Sequence, residues 1–82
     1  MNDAQKLASA LNALAKNPQF SYKTARATAR KDERVDVAAT KARNDDFNPD
    51  VDGSETFVMK DGSVCEWLPS RATYAARTPG VH

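Results

Sequence analysis

Apolar positions along the first fifteen residues repeat at helical spacing. They fall three or four residues apart, at Ala4, Leu7, Leu11 and Leu14, and this spacing puts them on one side of a helix. Asn2 or Asp3 can accept hydrogen bonds from the first free amides. Asn17–Pro18 ends the repeat, because proline disfavours helical geometry in the residue before it. The pattern predicts an amphipathic helix over residues 3–16.

Residues 18–44 carry few large apolar groups, and two interpretations compete for them. In the first, Asn17 caps a second helix that begins at Pro18, with Tyr22, Ala25 and Ala29 on one side and further helical turns after residue 35. In the second, the segment is an extended hairpin with residues 31–34 as its turn, because apolar residues alternate at 20 and 22 and at 35 and 37. Helix propensity favours the first interpretation, and the hairpin remains the alternative.

The last third of the chain has the alternation and the turn residues of β-strands. Residues 55–60 and 63–68 predict two strands joined by a two-residue turn at Asp61–Gly62, where both positions tolerate positive φ. In that register Met59 faces Val64 and Val58 faces Cys65, so both faces of the hairpin are partly apolar. Residues 71–76 predict a third strand after the turn at 69–70.

Together these segments predict an α+β fold. It comprises an N-terminal amphipathic helix, a charged middle segment and a C-terminal three-stranded antiparallel β-meander. The 82 residues make one small domain, with residues 77–82 as a mobile tail. Of 33 hydrophobic residues 14 are alanine, so we expect a thin core that a partner or a second copy could complete.

Charge is segregated along the chain although the net charge is only +1. Between residues 23 and 43 seven basic residues stand against three acidic ones, whereas residues 45–55 hold five acids and no base. On a helix, one subset of the basic residues forms a stripe: Lys23, Arg26, Arg30 and Arg34. The acids of the following loop form a candidate anionic patch: Asp45, Asp46, Asp50 and Asp52.

Each charged segment has several interpretations. The basic stripe could contact nucleic-acid phosphates or an acidic protein, or it could be a solvated face that pairs with nearby acids. The acidic patch could bind a basic groove by charge complementarity. The low net charge argues against a general nucleic-acid binder. Trp67 and Tyr74 are candidate interface aromatics, with burial in the core as the alternative.

The residue inventory argues against catalysis and against a bound cofactor. The chain has one cysteine, Cys65, and one histidine, His82, at its last position. An intrachain disulfide is therefore impossible, and a Cys/His zinc site or a nucleophilic triad is not expected. The loop at 48–53 resembles half of a calcium loop but lacks its final carboxylate. We expect no metal, no cofactor and no enzyme.

These observations predict a cytoplasmic protein without a membrane-spanning segment or a secretory signal. We expect a non-catalytic protein-binding module that acts by charge-complementary contact. Its size is typical of phage or mobile-element accessory proteins, including inhibitors of the anti-CRISPR type. The alternative is a nucleic-acid-binding accessory protein that uses the basic stretch 23–43. A homodimer through the two-faced hairpin is compatible with both.

Overall fold

The computed structural model describes residues 2–48 and 53–77. Three helices precede a three-stranded antiparallel sheet of order β1-β2-β3, which confirms the predicted α+β fold with a C-terminal meander. The elements are α1 (Asp3–Ala15), α2 (Tyr22–Arg30), α3 (Val37–Arg43), β1 (Phe57–Val58), β2 (Val64–Leu68) and β3 (Thr73–Arg77). Arg77, the first residue of the predicted mobile tail, is therefore the last residue of β3, and the rest of that tail lies outside the described residues.

Helix α1 forms as the apolar repeat predicts. Its buried side includes Ala4, Leu7 and Leu11. At its start the side chain of Asn2 accepts a hydrogen bond from the Gln5 amide at 2.8 Å, and the Gln5 side chain accepts one from the Asn2 amide at 2.8 Å. This reciprocal capping box satisfies groups that a helix start leaves without partners.

The turn between β1 and β2 completes the cap of α1 from the far end of the sequence. The Asp61 carboxylate accepts a hydrogen bond from the backbone N–H of Asp3 at 3.1 Å. The Ser63 hydroxyl accepts one from the N–H of Ala4 at 3.2 Å. Ser63 also donates its hydroxyl to Asp61, so the turn and the helix start form one connected polar network.

The middle segment is helical, which confirms the favoured interpretation, but α2 begins later than predicted. Ser21, in extended conformation, is its cap and accepts from the Thr24 amide at 3.2 Å. Asn17 instead accepts from the Phe20 amide through its carbonyl and closes a turn. Ser and Asn are comparable caps, so packing of the helix against the core decides between them. One isolated bridge, Val35 to Met59, is the extended feature within 18–44.

The hairpin register differs from the prediction by one residue. Phe57 pairs with Cys65 and Val58 pairs with Val64, because the turn contains three residues, 60–62, instead of two. Gly62 at φ 88° supplies the left-handed residue that such a turn requires. A one-residue shift exchanges the faces of one strand relative to its partner, so Phe57 and Cys65 share the buried face.

Side chains of α1, of α3 and of the α3 cap bond the backbone at the two edges of the sheet. At the β3 edge, the Asn12 amide accepts from the Tyr74 N–H at 2.8 Å and donates to the Tyr74 carbonyl at 3.1 Å. At the β1 edge, the Thr40 hydroxyl accepts from the Val58 N–H at 3.0 Å. Asn44 bonds the backbone of Thr56 in the same two-way manner as Asn12. These bonds occupy backbone groups to which another strand could pair.

The core lies between α1, α2 and the inner face of the sheet. Its largest fully buried apolar side chains are Phe57, Leu7, Leu11 and Met59, and alanines at 25 and 29 let α2 approach closely. On the outer face of the sheet, Glu66 of β2 and Arg77 of β3 form an ion pair at 3.5 Å. None of the helices in the described ranges is long and apolar enough to cross a bilayer.

Candidate binding site on helices α2 and α3

Two of the four predicted stripe residues converge on one buried carboxylate. Arg26 and Arg30 lie one turn apart on α2, and their Nε atoms are 3.1 Å and 3.6 Å from Oε1 of Glu55. The Glu55 side chain is 1% exposed, whereas the arginine side chains are 31% and 29% exposed. The carboxylate is therefore out of water, and both guanidinium groups reach from it toward the surface.

Glu55 is the residue that the sequence analysis missed. Residues 55, 57 and 59 are buried and alternate with the partly buried 56 and 58, so Glu55 points inward with Phe57 and Met59. Period-two alternation ahead of β1 was the available signal. The sequence analysis counted Glu55 only among the five acids of residues 45–55.

The contact between Glu55 and the arginines is ionic without well-directed hydrogen bonds. Among the described residues, both Glu55 oxygens and the Nε atoms of Arg26 and Arg30 are buried and have no hydrogen-bond partner of good geometry. A buried charge is costly unless it is paired, so proximity to two cations is what stabilises this carboxylate. The arginines are held in place by it.

A polar surface pocket of about 270 Å³ opens beside this ion pair. It is lined by Arg26, Arg30, Lys41, Asn44 and Asp45. The Asn44 amide is fixed by bonds of 2.7 Å and 2.8 Å to the carbonyls of Thr40 and Thr56, so it anchors the end of α3 to the strand side of the molecule. Cations of α2 and α3 therefore meet at one place on the surface. We call this feature the α2–α3 pocket.

The predicted basic stripe is not continuous. Arg34 lies beyond the end of α2 and forms a two-point ion pair with Asp32, with distances of 2.6 Å and 2.9 Å. That hydrogen bonding holds the pKa of Asp32 below its usual value. Lys23 is exposed at the other end of α2. The stripe is thus divided, because the chain turns after Arg30 instead of continuing as one helix.

Half of the predicted acidic patch lies within the described residues. Asp45 and Asp46 are exposed in the turn after α3, and Asp45 contributes to the α2–α3 pocket. Asp50 and Asp52 lie outside the described residues. Asp45 is therefore next to the basic groups, and the two charge types form one mixed surface there.

The structure places the candidate interface aromatics in and beside the core. Tyr74 is only 3% exposed, as in the alternative of burial in the core, and burial raises the pKa of its hydroxyl. Trp67 is partly buried and packs on Tyr74 with ring centroids 4.8 Å apart. Tyr22 contacts Trp67 edge-on at 5.6 Å, and Phe20 contacts Tyr22 at 5.8 Å. This row of rings joins the start of α2 to the sheet.

The remaining chemistry-bearing groups are dispersed or buried. Cys65 is fully buried, and burial raises the pKa of its thiol to about 12. Within residues 2–48 and 53–77 no three His, Cys, Asp or Glu side chains cluster as metal ligands do.

Fold and site together define a small α+β protein with a mixed-charge pocket at the junction of two short helices. Comparisons of the chain with protein-family models, curated proteins and solved structures find no match.

Proposed function

We propose that this chain is a non-catalytic binding module that contacts an acidic region of a protein partner through the α2–α3 pocket and the exposed charged residues around it. The observation that supports the proposal is the convergence of Arg26, Arg30 and Lys41 on one pocket. Two of these cations are held by Glu55. Cations that are already positioned lose less entropy on binding than free surface lysines do.

The mixed charge of this surface favours a protein partner over nucleic acid. A phosphate backbone presents evenly repeated negative charge, and Asp45 at the wall of the pocket would repel it. Arg34 is paired with Asp32 and contributes little to a phosphate footprint. An uneven partner surface can instead place acids opposite the pocket and bases opposite Asp46, which gives specificity through charge complementarity.

A role as an inhibitor or accessory protein of a phage or mobile element, of the anti-CRISPR type, agrees with the small size of the chain and depends on no single residue. A cytoplasmic location agrees with the single unpaired cysteine.

The test is affinity capture with charge-reversed variants. Full-length tagged protein is incubated with lysate of the source organism, and bound proteins are identified by mass spectrometry. We expect the double variant Lys41→Glu, Arg43→Glu to lose the partner, because Lys41 lines the α2–α3 pocket and Arg43 is exposed on the same helix. The matched control, Lys6→Glu with Lys16→Glu, changes the same charge on exposed positions of α1 and its cap and should retain it. Equal capture by both variants would refute the proposal.

The acidic side of the surface is tested separately. Replacing Asp45, Asp46, Asp50 and Asp52 together with Asn should weaken capture. We expect the thermal midpoint to stay nearly unchanged, because Asp45 and Asp46 are exposed and exposed charges contribute little to stability. A gel-shift series with single- and double-stranded DNA at two salt concentrations tests the alternative. A salt-sensitive shift that Lys41→Glu abolishes would replace the protein partner with nucleic acid.

A further inference from the structure

We propose that the α2–α3 pocket is a subsite for one oxyanion group, the chemistry that a side-chain carboxylate and a phosphate group share. This inference rests on the proposed function, because the oxyanion would be carried by the protein partner. It goes further by assigning the recognition to one pocket and one charged group, instead of to the whole charged surface.

The charges around the pocket leave room for one anion. Arg26, Arg30 and Lys41 contribute three positive charges at its wall. Glu55 behind the arginines and Asp45 at the wall contribute two negative charges, so the described groups leave a balance of +1. A single oxyanion compensates that excess, and a run of several anions would overcompensate it and meet Asp45 at close range.

The burial of individual atoms indicates which part of each arginine faces the pocket. The Nε atoms of Arg26 and Arg30 are buried against Glu55. Since about 30% of each side chain is nevertheless exposed, the accessible part lies elsewhere on the side chain, and the lining surface of the pocket is mostly polar. Arg26 and Arg30 both line the pocket, and a guanidinium group has further N–H donors besides Nε, of the kind that binds an oxyanion most strongly.

The fold also sets the position of the third cation. Thr40 precedes Lys41 on α3, and Asn44 is the cap at the end of that helix. Their side chains bond the backbone of Val58 and Thr56. Helix α3 is thereby held against the strand that follows Glu55, so Lys41 stays opposite the arginines. The Glu55 carboxylate and the α3 anchors therefore act as positioning groups, and the three cations make the contact.

The experiment is an NMR titration of the ¹⁵N-labelled full-length chain with inorganic phosphate. Sodium chloride at matched ionic strength is the reference, which separates site binding from screening. We expect saturable shifts at the amides of Arg26, Arg30 and Lys41. Lys41→Ala should weaken phosphate binding about tenfold, since a hydrogen bond to a charged group is lost, and Lys6→Ala should leave it unchanged. Shifts that chloride reproduces, or the absence of saturation, would overturn the inference.

A second variant guards against misfolding. Arg30→Lys keeps the charge beside Glu55 but removes the planar N–H pair, so it should weaken phosphate binding while the thermal midpoint stays close to that of the parent. Unchanged affinity in Arg30→Lys and Lys41→Ala alike would also overturn the assignment, because the shifts would then arise elsewhere.

Peptides distinguish the two sources of the oxyanion and separate this inference from the proposed function. A glutamate-containing peptide and its phosphoserine counterpart are titrated in the same way, and the tighter one, sensitive to Lys41→Ala, identifies the source. A single-stranded oligonucleotide that binds more tightly than either peptide would overturn the inference. If the partner is captured from lysate but no oxyanion saturates the pocket, only the subsite fails. If phosphate binds and no partner is captured, only the proposed function fails.

Discussion

The carboxylate of Glu55 lies 3.1 Å from Nε of Arg26 with 1% of its side chain exposed, whereas 31% of the arginine remains accessible. Arg30 approaches the same carboxylate oxygen at 3.6 Å. The pair therefore joins the core to the surface: its acid is part of the interior and its bases belong to the proposed site. Because a buried charge without partners is strongly destabilising, binding and stability are coupled here.

That coupling predicts a non-additive mutant cycle. Arg26→Ala or Arg30→Ala alone should cost about 1 kcal/mol of unfolding free energy, because the second arginine still pairs Glu55. The double variant should cost about 3 kcal/mol, because it leaves the buried carboxylate unpaired. Urea denaturation measures both.

The control for the cycle is the removal of the carboxylate charge. Adding Glu55→Gln to the double variant should recover part of the lost stability, since no buried charge remains. Lys31→Ala, an exposed cation at the end of α2, should have almost no effect. If the double variant loses no more unfolding free energy than the two single variants lose together, the shared-partner geometry is contradicted.

A second prediction concerns the β3 edge. Asn12→Ala removes both hydrogen bonds to the backbone of Tyr74 and should lower the unfolding free energy by about 2 kcal/mol. Ser9→Ala, at an exposed position of the same helix, is the matched control and should be neutral. Chemical denaturation measures the unfolding free energy of both variants. Equal values would argue against the edge contact.

A third prediction concerns acid. Hydrogen bonds from Ser63, and then from the Asp3 amide, lower the pKa of Asp61 from the ordinary 3.8. The stabilisation that Asp61 gives is therefore complete above pH 3.8 and is lost as the pH falls through its lowered pKa. We expect Asp61→Asn to have a lower melting temperature at neutral pH, and the difference from the parent to shrink in acid. Asp46→Asn is the control, and a pH-independent difference would contradict the cap.

A fourth prediction concerns thiol reactivity. Burial raises the pKa of Cys65 to about 12, so at about pH 8 the folded protein should contain almost no thiolate to attack a labelling reagent. A disulfide-exchange dye should react slowly with native protein and at full stoichiometry in denaturant. Rapid, complete labelling of the native state would show that the sheet opens at this position.

A fifth prediction concerns the turn between β2 and β3. Ala72 has φ 50°, a conformation that costs an L-residue roughly 1–2 kcal/mol. Ala72→Gly should therefore raise the unfolding free energy by about 0.5–1 kcal/mol, after the entropy that glycine adds to the unfolded chain. Ala75→Gly, within β3, should lower it. Thermal melts of both variants check the opposite signs.

The order of elements followed from sequence because each has a local cause. The spacing of Leu7 and Leu11 defines α1, and Gly62 marks the turn of the hairpin. The start of α2 and the register of the hairpin did not follow, because at each place the local sequence allows two solutions. Asn17 and Ser21 are comparable caps, and turns of two or three residues both suit the Asp61–Gly62 pair.

The site was only half predictable for a different reason. Arg26 and Arg30 stood out by their helical spacing, but their shared partner is 25 residues beyond Arg30. Lys41 joins them only because Thr40 and Asn44 dock α3 onto the backbone of residues 56 and 58. Contacts of this kind depend on tertiary packing, which periodicity along one segment does not contain.

The distant cap of α1 has a consequence for biosynthesis. A thirteen-residue helix is marginal in water by itself, and the groups that complete its first turn, Asp61 and Ser63, leave the ribosome nearly sixty residues after Asp3. The cap of α1 can therefore be completed only after residues 61–63 have been translated. Until then the nascent polypeptide exposes Leu7 and Leu11, and we expect chaperones to bind these apolar side chains during that interval.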